Sequence, residues 1–225
     1  MSARGWKVTT EGDGVARVRP GTQEGGGSTS LGQLLEANEH RVLLATDLHE
    51  WPTHETVLPG YRLPVVAALR APLAGDQLLP ALAADIRIAA DSLVLEFQTV
   101  DGEPVVSHVI IALLARLVGT GTAAYWLLTR RSVTAAEALE AGLVHQVVPT
   151  ADVDEAALEV ARSVAAGAPL ALEYAKEALR RGSRAGLLDA IEIEGDLYSI
   201  LHTTDDRSEG VRSFLEHRDP LFRGR

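Results

Sequence analysis

Cysteine is absent from this chain of 225 residues, which excludes both a disulfide framework and a thiol nucleophile. Aromatic residues are scarce at 4%, so the core implied by the 46% of apolar residues must consist mainly of Ala, Leu and Val. No apolar run reaches the roughly 20 residues that a membrane-spanning helix needs. The N-terminal residues also lack the apolar stretch of a signal peptide. We therefore expect a cytoplasmic protein without a membrane partner.

The chain also lacks the surplus of basic residues that nucleic-acid binding requires. Its formal net charge is -10 at pH 7, and a nucleic-acid partner is therefore not expected. The segment HEWPTHE at residues 49–55 superficially suggests a metal cluster, but its spacing differs from the HExxH pattern of zinc enzymes. The sequence thus predicts no metal site.

Strand signals followed by helix signals predict an α/β fold. Val15–Arg19 partly alternates apolar and basic residues and is followed by Pro20, which predicts a short strand at the edge of a sheet. Two apolar runs, Val42–Thr46 and Pro64–Leu69, predict buried strands, the second of a kind found in sheets covered on both faces. Between these strands we expect two loops and one short helix, at Gly21–Ser30, Asp47–Tyr61 and Leu31–Asn38.

Capping signals define the helices of the second half. Thr134 followed three residues later by Glu137 is a capping box, and Gly142 is placed to end that helix. Thr204 is the predicted cap of the last helix, because carboxylates follow it in the first turn, where the helix dipole favours them. The other predicted helices are Val153–Ala165, capped by Thr150 and Asp152, and the segments Leu170–Arg181 and Leu187–Leu201.

The last two thirds of the chain contain four distinctive segments in order: PVVAAL at 64–69, AADIRIA at 83–89, LVGTGTAAYWLLTRRSVTAAEALEAGLV at 117–144 and TTDDRSEGVRSFLEHRDPLFRGR at 203–225. These segments resemble the crotonase family, also called the enoyl-CoA hydratase/isomerase family. The resemblance implies a β/α spiral core at residues 1–166 and a C-terminal helical segment at 167–225 that assembles the protein and closes the pocket. It also implies a homo-oligomer, either a trimer or a hexamer.

The resemblance implies a substrate class as well. The family binds an acyl thioester, so coenzyme A or the phosphopantetheine of a carrier protein is part of the substrate, and no other cofactor is implied. Its shared step stabilises an enolate-like oxyanion with two main-chain N–H donors, one of them in a Gly-rich turn that opens a helix. Here that turn is Leu73–Gln77, with Gly75 preceding Asp76 at the place of the donor glycine. A carrier protein or a homologous partner subunit is the protein partner to expect.

Asp76 keeps the main-chain N–H of the donor but places a carboxylate beside the developing negative charge. Two interpretations stay open, a helix N-cap and a catalytic carboxylate. Pro80 fits best in a first turn, so the following helix is expected to begin late or to be kinked. The sequence does not place the second donor, because no Ala-Gly-Ala-Asp-like run follows Val42–Thr46.

Hydratases of the family carry two glutamates as general acid and base. In this sequence the corresponding positions are Leu79 and Thr99, neither of which transfers protons. Ordinary hydration is therefore not expected, although both residues are still expected to line the substrate pocket.

Other polar residues are candidates to replace the glutamates. Asp101, Glu103 and His108, with Ser107 as a substrate contact, lie where the family has a Gly-rich turn lining the pocket. Ser107 and His108 are adjacent and so do not form a nucleophile-base pair. Glu96 faces either the pocket or solvent. His202 precedes the last helix, in a region that often closes over the acyl pocket in the family, and is the remaining substrate-contact candidate.

Three functions remain open at this point. The first is a divergent crotonase, a lyase or isomerase that decarboxylates, dehydrates, isomerises or cyclises an acyl thioester in a secondary-metabolite pathway. The second is a catalytically silent subunit that stabilises or activates an active homologue. The third is an enzyme that uses the pocket for a substrate that is not a thioester.

Overall fold

The structure, a computed structural model, describes residues 6–21, 40–51, 61–97, 107–183, 196–197 and 199–225, with His108 described by its backbone only. Outside these residues lie the predicted loop Gly21–Ser30 except for Gly21, the predicted helix Leu31–Asn38 and most of the predicted helix Leu187–Leu201. The chain forms two compact units. Residues up to Tyr61 and Val65–Arg162 make the first unit; Arg62–Pro64 and Ser163–Arg225 make the second.

Nine strands and seven α-helices have defined bounds in the described residues. The strands are β1 (Trp6–Thr10), β2 (Val15–Pro20), β3 (Val42–Ala45), β4 (Val65–Leu69), β5 (Leu73–Ala74), β6 (Ile86–Ala90), β7 (Val94–Glu96), β8 (Val133–Thr134) and β9 (Gln146–Val148). The helices are α1 (Leu78–Ala83), α2 (His108–Val118), α3 (Thr120–Thr129), α4 (Ala135–Glu140), α5 (Val153–Ala165), α6 (Pro169–Gly182) and α7 (Asp205–Glu216).

A six-stranded sheet in the order β1-β2-β3-β4-β6-β9 carries the first unit. Strands β1 and β2 are antiparallel, and the other neighbours are parallel. Strands β3 and β4 are buried at every residue, as expected for apolar runs in a parallel sheet. A second sheet in the order β5-β7-β8 completes the unit. The α/β fold predicted from the sequence is confirmed.

The prediction that Val15–Arg19 is an edge strand is wrong. Strand β1 pairs with β2 along its full length, from Trp6 opposite Pro20 to Thr10 opposite Ala16, while β3 pairs on the other side. Pro20 is tolerated because it is the last residue of the strand, where a missing N–H removes no interior ladder bond. Strand β1 was missed although Trp6 and Val8 alternate with Lys7, a strand pattern, and both pack against the core.

The predicted helix caps at Thr134 and Thr204 are confirmed. Thr134 Oγ1 accepts the N–H of Glu137 at 3.4 Å, and the Glu137 carboxylate accepts the N–H of Thr134 at 2.9 Å, which confirms the capping box. Thr204 Oγ1 accepts the N–H of Arg207 at 3.2 Å and caps α7 as predicted. Helix α5 begins at Val153, so the N-cap position is that of Asp152 and not of Thr150, two residues earlier. The N–H and the hydroxyl of Thr150 both donate to Asp91 Oδ1.

Arg87 joins β6 to the segment that precedes β9. Its side chain is buried, and its guanidinium donates to the carbonyls of Ala84 and Leu143. Burial lowers the pKa of Arg87 to about 10, so the group still carries its charge at neutral pH. The two carbonyl oxygens offset the cost of burying this cation.

The second unit contains α6 and α7. Arg62 pairs with Glu173 of α6 at 2.6 Å, and Lys176 donates to the carbonyl of Leu63 at 2.7 Å, so residues 62–64 are held by this helix. The buried Asp206 of α7 accepts the N–H groups of Arg223 and Gly224. None of the helices described is both long and apolar enough to cross a membrane.

Candidate active site

The Gly-rich turn predicted from the sequence is a 3₁₀ turn at Gly75–Gln77 that runs directly into α1. Gly75 is buried and has a φ of 53°, a left-handed conformation that glycine adopts without the steric cost of a Cβ. Pro80 is the third residue of α1, so it lies in the first turn, where its missing N–H has no intrahelical partner to lose. This is the first-turn position that the sequence favours for Pro80, whereas a late start or a kink of the helix stays a prediction.

Asp76 is not a helix N-cap. An N-cap residue has extended backbone angles, and here that residue is Ala74, with φ -131° and ψ 148°. Asp76 is the second residue of the 3₁₀ turn, and the α1 N-cap position is occupied by Gln77. Because the 3₁₀ turn begins at Gly75, the main-chain N–H of Asp76 lies among the first amides of the turn, which lack intrahelical acceptors. Its half-buried carboxylate lies near the positive end of the helix dipole.

A second turn lies against the first. Strand β3 leads through Asp47, which has a left-handed φ of 54°, into a 3₁₀ turn at Leu48–Glu50. The Leu48 side chain is buried, and Trp51 fixes the end of the turn because its Nε1 donates to the carbonyl of Thr46 at 2.8 Å. The sequence predicts a loop at Asp47–Tyr61 and does not place the second donor; the structure shows a 3₁₀ turn at the start of that loop, and residues 52–60 lie outside the described part of the chain.

Gln77 joins the two turns. Its Oε1 accepts the N–H of Ala74 at 3.2 Å, and its Nε2 donates to the carbonyl of His49 at 2.8 Å. Sequence reasoning missed this residue. The signal that was available is the capping-box spacing, since a Gln three residues after the N-cap commonly reaches back to the N-cap N–H. The contact with His49, 28 residues away along the chain, had no sequence signal.

Two further side chains can be placed relative to the Gly75–Gln77 turn. Leu79 is half-buried and packs against the apolar core of the first unit, so this position of α1 presents no proton-transfer group. Glu96, at the end of β7, is paired with Ala74 of β5 and is exposed. Glu96 therefore places a carboxylate on the strand next to the turn, opposite Ala74, the residue that precedes Gly75.

Ser107 and His108 begin α2, which packs against α1. Ser107 occupies the N-cap position but makes no side-chain capping bond, and among the described residues its buried Oγ has no hydrogen-bond partner. The His108 side chain and the whole of Thr99, Asp101 and Glu103 lie outside the described residues, so their roles stay predictions.

His202 belongs to the second unit of the chain, whereas the two turns and α2 belong to the first. It is exposed and lines a cavity of about 560 Å³ whose other walls are mostly apolar. Leu170, Leu201, Val211, Phe214, Leu215 and Phe222 supply those walls. Across the part of the chain that is described, His, Asp and Glu side chains form no group of three that could hold a metal ion.

Comparison with known proteins agrees with this arrangement. Residues 39–225 match the family model of enoyl-CoA hydratase/isomerase. YngF of Bacillus subtilis, named as an enoyl-CoA hydratase/isomerase, is 36% identical over 86% of this chain and 74% of its own length. The 2,3-dehydroadipyl-CoA hydratase of Escherichia coli is 41% identical over half of this chain, which spans 44% of that protein.

A solved structure extends the likeness to the whole fold. The crystal structure of an enoyl-CoA hydratase from Bacillus anthracis superimposes with a TM-score of 0.80 and 28% identity, over 98% of this chain and 99% of that one. The family match, the sequence relatives and the fold agree, and this chain belongs to the enoyl-CoA hydratase/isomerase, or crotonase, family.

Proposed function

We propose that this protein is an enzyme that acts on an acyl thioester of coenzyme A or of a carrier protein and stabilises an enolate-like oxyanion at the Gly75–Gln77 turn. The observation that carries the proposal is the pair of turns, Gly75–Gln77 and Leu48–Glu50, held together at the start of α1. First-turn amides and the helix dipole favour an anion at such a place. The hydratase names of the two relatives, both referring to CoA thioesters, support the substrate class.

The geometry supports a reaction other than simple hydration. The N–H of Asp76 can donate to the thioester oxygen, and an amide of the Leu48–Glu50 turn is the candidate second donor. Water addition also needs an acid and a base across the double bond, and Leu79 supplies neither. Dehydration is the reverse of hydration and needs the same acid and base, so Leu79 argues against both. Decarboxylation, isomerisation and cyclisation pass through an enolate and each delivers a proton to the α-carbon or takes one from it; decarboxylation also releases CO2, and isomerisation returns a proton at the γ-carbon. In this proposal Asp76 or His108 handles that proton, and the enzyme serves a secondary-metabolite pathway.

The test is a panel of CoA thioesters followed by chromatography and mass spectrometry: crotonyl, 3-butenoyl and malonyl. We expect negligible hydration of crotonyl-CoA and turnover of at least one other member. Hydration of crotonyl-CoA at a typical enzymatic rate of about 10 per second or more would contradict the proposed reaction class.

A catalytically silent partner subunit is the second candidate. The observation that favours it is the apolar, core-packed Leu79 at the place of a catalytic glutamate, together with a carboxylate at Asp76 where negative charge develops in the family. Failure of every thioester in the panel to bind at millimolar concentration would favour this function. Saturable binding with turnover would dismiss it.

A further inference from the structure

We infer that Gln77 is a positioning residue that sets the distance between the Gly75–Gln77 and Leu48–Glu50 turns and thereby the geometry of the oxyanion donors. The inference rests on the proposed function, because it concerns the same site. It adds a residue to which neither the family match nor the relatives assign a role, and it assigns that residue a mechanical task rather than a contact with substrate.

The chemistry of the bridge requires an amide side chain. One end of Gln77 faces an N–H, that of Ala74 at 3.2 Å, and must be an acceptor. The other end faces a carbonyl, that of His49 at 2.8 Å, and must be a donor. A carboxylate offers only acceptors and an ammonium only donors, so neither can bridge these two groups. The two neighbours also fix which end of the amide is the oxygen.

Both ends of the bridge are attached to rigid parts of the fold. Ala74 is held in the β5–β7 ladder opposite Glu96. On the other side, the buried side chains of Leu48 and Trp51 anchor the second turn. The ring centroid of Trp51 lies 4.8 Å from that of Trp6, in an edge-to-face arrangement. Gln77 therefore fixes the spacing of two elements that are each already ordered. Oxyanion stabilisation depends steeply on donor placement, since a misplacement of about 1 Å can cost roughly 100-fold in rate.

Three variants separate this role from general stability. Gln77→Glu keeps the acceptor for Ala74 and replaces the donor to His49 by a repelling oxygen, while Gln77→Leu removes both bonds. Gln146, exposed on β9, is the matched control site, and Gln146→Glu makes the same chemical change away from the turns. Circular dichroism and thermal melts of each variant show whether the fold is retained.

The readout is the carbonyl stretching frequency of bound crotonyl-CoA labelled with ¹³C at C1, measured by isotope-edited infrared difference spectroscopy. Hydrogen bonds from oxyanion donors polarise the carbonyl and lower this frequency. We expect a clear downshift in wild type and in Gln146→Glu, and loss of at least half of it in Gln77→Glu and Gln77→Leu, with probe affinity changed no more than a few-fold. A merely structural role would lower the melting temperature without this selective loss.

The outcomes distinguish the two claims. A wild-type downshift that survives unchanged in a folded Gln77→Glu or Gln77→Leu protein overturns the role of Gln77 and leaves the proposed function standing. No downshift of the bound probe in wild type removes the oxyanion site itself, and with it both claims. If Gln77→Leu does not fold, the isosteric Gln77→Glu decides alone.

Discussion

Arg218 holds Glu209 with two guanidinium nitrogens, Nη1 at 2.5 Å from Oε1 and Nη2 at 3.0 Å from Oε2. The N–H of Leu221 donates to the same carboxylate at 3.0 Å. The hydrogen bonds from Arg218, followed by that from Leu221, lower the pKa of Glu209 from its ordinary 4.5 to about 2. The bidentate geometry gives this ion pair a fixed orientation that single-contact surface pairs lack.

Acid should therefore weaken the second unit through Glu209. Because its pKa is lower in the folded than in the unfolded chain, its ionised form favours folding above pH 4.5, and this contribution is lost as the pH falls from about 4.5 towards 2. We expect the urea midpoint of wild type to fall more steeply between pH 6 and pH 3 than that of Glu209→Gln. Glu159→Gln, at an exposed position on α5, should follow wild type. Equal slopes for Glu209→Gln and wild type would contradict the prediction, and 1 M salt should reduce the difference.

Asp206 and Asp205 are neighbouring aspartates that differ in burial, so substituting each in turn compares the contribution of a buried and an exposed carboxylate to stability. Asp206 is 4% exposed and accepts two main-chain N–H groups, so Asp206→Ala should lower the free energy of unfolding by about 2 kcal/mol. The Asp205 side chain is 79% exposed and pairs with Arg225 at 3.6 Å, so Asp205→Ala should cost about 0.5 kcal/mol or less. Chemical denaturation measures both. Similar losses for the two variants would show that burial at Asp206 does not matter.

Gly75→Ala should destabilise the protein by about 1–2 kcal/mol, because alanine must adopt the left-handed conformation seen at φ 53°. Gly121→Ala is the control, since Gly121 lies in α3 without a left-handed φ and an added Cβ would meet no atom within 4 Å. That variant should be unchanged or gain up to about 1 kcal/mol. Thermal or urea unfolding compares them, and a Gly75→Ala protein as stable as Gly121→Ala would refute the argument from backbone conformation.

Asp76→Ala tests the carboxylate separately from the main-chain donor, which the substitution retains. Since Asp76 is not an N-cap, we expect the melting temperature to stay within 1–2 °C of wild type, a shift of about 0.5 kcal/mol or less. If its carboxylate moves the proton, turnover of the thioester identified in the panel should fall by roughly 100-fold or more. His108→Ala is measured beside it. If neither variant changes turnover, the catalytic centre lies elsewhere.

The described surface of α7 predicts self-association. Phe214 is 77% exposed and Leu215 is 71% exposed, and neighbouring large apolar side chains of this kind mark interaction surfaces. We expect light scattering to give three or six times the chain mass of 24.0 kDa, in line with the trimer or hexamer predicted from the sequence. The double variant Phe214→Lys, Leu215→Lys should shift the mass towards one chain, whereas Ser208→Lys on the same helix should not. A clean monomer of wild type at micromolar concentration would refute the prediction.

Features set by neighbouring residues were predictable from the sequence. The capping box of Thr134 with Glu137 and the cap at Thr204 depend on contacts within one helical turn, and both were predicted correctly. The buried strands at β3 and β4 follow from unbroken apolar runs, which need no knowledge of their partners.

Features set by distant residues were not predictable in the same way. The alternation of Val15–Arg19 and the proline that follows it predict an edge strand, but which strand lies beside it depends on its pairing with β1, residues Trp6–Thr10. Thr150 was assigned to a helix cap, yet its hydroxyl meets Asp91, 59 residues away. The bridge from Gln77 to His49 is of the same kind. At the candidate site, the Gly75–Gln77 turn was predictable from the sequence, whereas its contact with the Leu48–Glu50 turn depends on tertiary packing.

The aromatic pair that anchors the second turn also makes the site optically visible. Trp51 is one of three tryptophans in the chain, and its indole is buried, hydrogen-bonded to Thr46 and in contact with Trp6. Indole emission depends on the polarity around the ring and on the hydrogen bond at Nε1. Any rearrangement of the Leu48–Glu50 turn alters both. The unlabelled protein therefore carries its own fluorophore beside the proposed thioester site, and binding at that site can be followed as a shift of the tryptophan emission maximum.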